Sequence, residues 1–260
     1  MKDFEISKEG IVVIQWLRPT DPQLGVDLFQ KISKKELERE NYFVMIYLVN
    51  TKSEFVEALK ELVDTTEEGT IFTLHIVAHG NEDLIGVDTI ANNISWKELF
   101  EYTRQLNVAM GNNLLLVLSS CVGGGVISHI EPEERAPYRA IIANTREVIM
   151  KDAHYGFDAF YRDFYNILDF PKGLEALNKA IDFSEELEPG KKKTEFFIMS
   201  SEQSFDEVFN PDRDPAHFES VINKIMPPTP DIPQEKRIEK VKELFREYGK
   251  KLKPHFNFQD

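Results

Sequence analysis

Asn113 to Gly125 reads NLLLVLSSCVGGG, an apolar run that stops at a cysteine and then three glycines. Leu114 to Leu118 is unbroken Leu and Val, the pattern of a strand buried on both faces of a parallel sheet. Cys121 follows just past the C-terminal end of that strand, the edge where open α/β sheets collect ligands and chemistry. Gly123 to Gly125 let the backbone turn sharply and leave space beside the sulfur. An earlier run of the same kind, Ile71 to Ala78 (IFTLHIVA), ends in His79-Gly80. Two neighbouring strands with these ends set an imidazole and a thiol at one edge of one sheet.

The rest of the chain supplies the other layers. Ile11–Leu17, Phe43–Val49, Tyr138–Ala143 and Glu195–Met199 are further short apolar runs, giving six strands in all. Helical stripes lie between them. Asp21-Pro22 reads as the cap of a helix through Leu24, Leu28 and Ile32. Thr51/Glu54 and Ser95/Glu98 read as capping boxes of two more helices. Leu84-Ile85 and Thr89-Ile90 read as the arms of a small hairpin after His79-Gly80. Phe157, Phe160, Tyr161, Phe164, Tyr165 and Leu168 mark an aromatic-rich helix, best explained by core packing. Val126 to Pro137 reads as a polar connection. The alternation predicts an α/β fold, a three-layer sandwich around a central six-stranded, mainly parallel sheet. Residues 1–205 form this domain. Residues 206–260 form a helical extension: a helix from Asp214-Pro215, a stiff Pro227–Pro233 linker and a charged amphipathic helix from Arg237 to Lys251.

Composition narrows the function classes. The net charge of −14 over 260 residues argues against a nucleic-acid surface, which needs a basic stripe. The single cysteine forbids an internal disulfide, so a reducing, cytoplasmic setting is expected. No run approaches a membrane span, and MKDFEISKEG lacks the apolar core of a signal peptide. No pair of histidines within a predicted helix has metal-ligand spacing (His75 and His79, four apart, fall on a strand run), and one cysteine does not make a typical zinc site, so neither metal nor cofactor is expected. Asn81, Glu82 and Asp83 read as a solvated turn rather than a calcium site.

The chemistry then rests on His79 and Cys121. A thiolate is the nucleophile, and a nearby imidazole takes the thiol proton and returns it to the leaving amine. Acyl transfer also needs donors aimed at the developing oxyanion, and the N–H groups of Gly80 and Cys121 are the candidates. His75 lies mid-strand and reads as a satisfied core histidine. His129, His154, His217 and His255 read as surface residues.

His79-Gly80 after one strand, and Ser119-Ser120-Cys121 followed by glycine after the next, resemble the clan of caspase-fold cysteine peptidases. That clan includes caspases, metacaspases, legumain, gingipain, separase and the bacterial CHAT-type proteases. The His-to-Cys spacing is near the roughly 50 residues quoted for caspases. The likeness spans about Ile11 to Ser200 and is strongest to CHAT-type and other bacterial members, because Ser119 stands where animal caspases have Gln. It implies a caspase-like fold and a cysteine endopeptidase acting on a peptide or protein substrate, regulated by cleavage or by an activating partner. It also maps the pocket for the residue before the scissile bond (P1) onto Arg18, Ser119 and the Asn144-Thr145-Arg146 loop. Arg18 there favours an acidic or polar P1 side chain. A backbone carbonyl near Arg18-Pro19 is expected to orient the histidine. Two rivals stay open: a non-proteolytic interaction module on the same fold, and a cysteine amidase acting on a small molecule.

Overall fold

A computed structural model of the chain describes residues 5–36, 40–86, 92–121, 123–144, 146–167, 170–182, 194–208 and 233–258. Among the described residues, eight strands form two sheets: β1 (Lys8–Trp16), β2 (Tyr42–Leu48), β3 (Thr70–Ala78), β4 (Leu84–Gly86), β5 (Asn93–Ser95), β6 (Leu115–Ser119), β7 (Ala140–Asn144) and β8 (Phe196–Ser200). The helices are α1 (Leu24–Glu36), α2 (Lys52–Thr65), α3 (Trp96–Ala109), α4 (Met150–Ile167), α5 (Phe170–Asp182), α6 (Ser201–Val208) and α7 (Gln234–Phe256), with a 3₁₀ helix at Gly123–His129.

The expected fold class is present. Six strands make one sheet in the order β2-β1-β3-β6-β7-β8. Pairing is parallel from β2 through β7 and antiparallel at β8. Every residue of β6 is buried, which is why it reads as a continuous apolar run instead of an alternating one. The two faces are covered by different helices. Leu74, Ile76, Leu116 and Leu118 pack with Phe55 and Leu59 of α2 and with Trp96, Leu99 and Phe100 of α3. Val77, Leu115 and Val117 pack with Leu24, Leu28 and Ile32 of α1 and with Phe157, Phe160 and Tyr161 of α4.

Local chemistry sets the helix starts. Thr51 Oγ1 accepts from the Glu54 N–H at 3.2 Å, and the Glu54 carboxylate accepts from the Asn50 N–H at 2.7 Å. Ser95 Oγ accepts from the Glu98 N–H at 3.1 Å. The Glu98 carboxylate turns instead to Lys52 Nζ at 2.8 Å, tying α3 to α2. The hairpin forms from Leu84–Gly86 and Asn93–Ser95. The arm expected at Thr89-Ile90 lies outside the described residues.

Two segments depart from expectation. Helix α1 begins at Leu24 and not at Asp21-Pro22, because the Asp21 carboxylate accepts from the Arg18 N–H at 2.9 Å within the preceding turn. The Val126–Pro137 connection is folded inward. Val126, Ile127, Ile130 and Ala136 are buried under α3, so its few apolar residues outweigh its acidic run.

Helix α7 ends against the main domain. Ala136 N–H donates to the Phe256 carbonyl at 3.0 Å, Arg135 Nη1 donates to the His255 carbonyl at 3.0 Å, and Phe256 is fully buried beside Phe205. The helix expected from Asp214-Pro215, His217, and the Pro227–Pro233 linker up to residue 232 lie outside the described residues. No helix among the described residues is long and apolar enough to cross a membrane.

Candidate active site

The site forms where β3 and β6 end. Val77 is paired with Ser119 in the parallel register, and His79 and Cys121 each follow two residues later, just past the ends of their strands. The face that carries Val77 is the one covered by α1 and α4.

His79 is fixed through one ring nitrogen. Its Nε2 lies 2.8 Å from Asp21 Oδ2. A carboxylate only accepts, so Nε2 carries the hydrogen and the lone pair of the neutral ring falls on Nδ1. The histidine side chain is 42% exposed and the aspartate 18%, so the pair sits at the mouth of the edge and not in the core. The hydrogen bond from His79 holds the Asp21 carboxyl below its ordinary range, reinforced by the Arg18 N–H and the nearby Arg18 charge. The sequence reads Asp21 as a helix cap, and only the fold brings it to His79. The Arg18 carbonyl, expected to orient the histidine, is instead occupied by the Asp21 N–H at 3.0 Å and Gln23 Nε2 at 3.1 Å. The only sequence signal for Asp21 was an acid placed just past the end of β1.

Gly80 packs against the backbone of Cys121. A Cβ at that position would lie 3.0 Å from the Cys121 carbonyl oxygen and 3.2 Å from Ser120 Cβ. Only glycine allows that approach without a shift. Gly80 bridges to Ile85 through the bonds of its neighbours, Gly86 N–H to the His79 carbonyl and Asn81 N–H to the Leu84 carbonyl. That pattern leaves Gly80's own N–H out of the ladder. The Asn81 side chain closes the turn, its Oδ1 accepting from the N–H groups of Asp83 and Leu84 at 2.9 Å each. Among the described residues no group of three His, Cys, Asp or Glu side chains is placed to hold a metal ion.

Cys121 is partly buried and free of disulfide. Its Sγ accepts from the Val148 N–H at 3.4 Å. Among the described residues no hydrogen bond joins Sγ to His79. The next N–H, that of Ile149, donates to Thr194 Oγ1 at 2.8 Å, and Thr194 N–H donates to Asp152 Oδ2 at 3.2 Å. The segment after β7 is thus laid over the sulfur and tied to the strand entering β8.

The remaining expected positions are distributed around this centre. Arg18 is exposed in the β1–α1 turn. Ser119 is buried, its hydroxyl 2.7 Å from His75 Nε2. Asn144 is fully buried at the end of β7; its Nδ2 donates to the Arg146 carbonyl and its Oδ1 has no partner among the described residues. Thr145 lies outside the described residues. Gly123 to Gly125 begin the 3₁₀ helix and do not form an open loop.

A sequence profile of the Peptidase C13 family matches residues 14–148, just over half of the chain and the span from β1 to the segment over Cys121. The chain belongs to this family, the legumain family of caspase-fold cysteine peptidases. Membership implies cysteine peptidase chemistry. No curated protein matches the chain.

Proposed function

We propose that the protein is a regulated cysteine endopeptidase with Cys121 as nucleophile, His79 as general base and acid, and Asp21 as the residue that positions His79. The observation that carries this reading is the His79–Asp21 contact at 2.8 Å, just past the paired Val77 and Ser119. With Nε2 committed to Asp21, Nδ1 takes the Cys121 proton. The sulfur attacks the scissile carbonyl carbon, and the carbonyl π pair moves onto oxygen. The N–H groups of Gly80 and Cys121 receive that charge; losing one such donor typically costs on the order of 10²–10³ in rate. The intermediate collapses, the C–N bond breaks, and the amine leaves with the proton from His79. Water, deprotonated by His79, then hydrolyses the thioester and regenerates the thiol. The carboxylate of Asp21 favours the imidazolium formed in each half-reaction.

Regulation is supported by the resting contact of the Val148 N–H with Sγ. A substrate or activating partner that draws residues 146–149 aside frees the sulfur to meet His79. The buried Val126–Ala136 segment argues against obligatory cleavage there, since its apolar residues are part of the core.

The test is a digest of a diverse peptide library read by mass spectrometry, comparing wild type with Cys121→Ala. Cleavage present in wild type and absent in the variant is expected. Identical digests, together with no labelling of Cys121 by peptidyl electrophiles, sink the reading.

A further inference from the structure

Helix α1 is capped by a side chain of the strand before it. The N–H groups of Gly25 and Val26, in the first turn of α1, donate to Gln15 Oε1 of β1 at 2.7 and 3.2 Å. Leu24 N–H donates to the Pro22 carbonyl and Asp27 N–H to the Gln23 carbonyl, so each of the first four helical N–H groups is engaged. None of them needs the Asp21 carboxylate, which is left for His79. Resting on the reading of Cys121 and His79 as the reacting pair, we propose that Gln15 and Gln23 are positioning residues for it. Together they clamp the Arg18–Asp21 turn to β1 and hold the Asp21 carboxylate on His79.

The clamp is a pair of side-chain amides in series. Gln15 Nε2 donates to Gln23 Oε1 at 2.6 Å. Gln23 Nε2 donates to the Asp21 carbonyl at 2.7 Å and to the Arg18 carbonyl at 3.1 Å. The direction of each amide is dictated from outside. Two backbone N–H groups at Gln15 call for its oxygen, and two backbone carbonyls at Gln23 call for its nitrogen. The orientation that satisfies both ends also makes the bond between them. Within the turn, Asp21 N–H donates to the Arg18 carbonyl at 3.0 Å, and Arg18 N–H donates to Asp21 Oδ2 at 2.9 Å. The turn is closed on itself, and Gln23 fastens it to the strand.

Packing shows that the contact is built in. Gln15 is 4% exposed and paired between Leu48 and Val77 in the sheet. A Cβ on Gly25 would stand 2.9 Å from Gln15 Oε1 and 3.0 Å from Gln15 Cβ, so glycine lets the helix start seat on the amide. Arg18, Pro19 and Thr20 are exposed, so burial does little to fix the turn and the hydrogen bonds carry that task. Without the clamp, Asp21 is free to swing back to the α1 N-terminus, where a carboxylate is favoured. His79 then loses its fixed tautomer, and its lone pair no longer stays on Nδ1.

Gln23→Met keeps the side-chain length and removes all three of its bonds. The substrate is a peptide that wild type cleaves in the library digest. A fall in kcat of at least about 5-fold with KM little changed is expected, since misplacing a reacting group by 1 Å costs up to about 10²-fold. The double variant Asp21→Asn/Gln23→Met is expected to stay within about 2-fold of Asp21→Asn alone, because Gln23 acts through Asp21. In the inert Cys121→Ala protein, ring-nitrogen NMR shifts are expected to show His79 protonated at Nε2. Adding Gln23→Met is expected to give a mixture of tautomers. Should that variant fail to fold, Gly25→Ala presses on the Gln15 amide and is expected to move kcat and the tautomer in the same direction. A kcat within about 2-fold of wild type, losses that multiply in the double variant, or an unchanged tautomer overturns the clamp and leaves the dyad standing. If wild type cleaves no peptide and Cys121 resists every peptidyl electrophile, the peptidase reading falls, and the catalytic use of the clamp with it.

Discussion

Strand β3 carries His75 at its middle and is followed at once by His79, and the two have opposite fates. His75 sits mid-strand under α4, with Phe157 edge-on at 4.5 Å and both ring nitrogens bonded to hydroxyls. Burial pushes its pKa down to about 3, so it stays neutral and holds Ser119 to Tyr161. Four residues later, His79 is half-exposed and bonded through one nitrogen to Asp21, with no partner at the other among the described residues. The sheet is the same and the residue type is the same. What differs is whether a helix covers the position, and that separates an imidazole locked in the core from one open to solvent and to a substrate. A protonatable group works only where water can stabilise its charged form and a substrate can reach it.

Four substitutions or conditions test this contrast, beginning with the largest effect. His79→Gln is expected to lower kcat/KM on the order of 10³-fold, within the range for removing a general base. Its denaturation midpoint is expected to stay close to wild type, since the side chain is largely outside the core. A variant that keeps its rate erases the distinction between the two histidines.

His75→Leu reverses the pattern. It strands the buried Ser119 hydroxyl and removes the ring's bond to Tyr161, so a loss of about 2 kcal/mol of stability is expected by urea unfolding. A variant as stable as wild type shows that the network is dispensable.

Asp21→Asn sharpens the role of the His79 anchor. The amide oxygen still accepts a hydrogen bond but no longer stabilises the imidazolium. A fall in kcat of about 10-fold is expected, near 1.4 kcal/mol of barrier, with KM little changed. The pH profile separates positioning from mere packing. Asp21 titrates below its ordinary range because His79 bonds it, so wild-type activity persists into mild acid and falls as Asp21 protonates. In Asp21→Asn that limb is expected to move. An unmoved limb assigns the aspartate a purely structural role.

The last test is the pH dependence of stability. The unfolded chain protonates His75 near its ordinary value of about 6.5, while the folded chain resists until about 3. The unfolded state therefore binds more protons in that window. The His75 contribution is complete above about pH 6.5 and drains away as the pH falls toward 3. Urea midpoints measured at about pH 7 and about pH 4.5 are expected to drop further in wild type than in His75→Leu. Equal drops refute a buried neutral ring.

Much of this was legible from residue order alone. The six apolar runs became the six strands of the main sheet, and the capping residues Thr51 and Ser95 took their caps. His75 was readable as a core residue because it interrupts an apolar run at mid-strand. The Val126–Pro137 connection reads as polar because acidic neighbours dominate its composition, although Val126, Ile127 and Ile130 are buried in the fold. Asp21 was misread because Asp-Pro is a strong local helix signal, and nothing local tells a capping carboxylate from one facing another strand.

By itself, then, the sequence determined which segments are strands, which residues are buried along them, and that a His and a Cys each stand at a strand's C-terminal end. These follow from hydrophobic period and strand termini, which are properties of neighbours in the chain. Only the tertiary structure decided that β3 lies beside β6, that Asp21 reaches His79, that Val148 lies over Cys121, and that Gln15 of β1 caps α1. Those facts depend on the order of strands in the sheet and on how helices cross it. Both are set by the joint packing of distant segments, and no single stretch of residues encodes them.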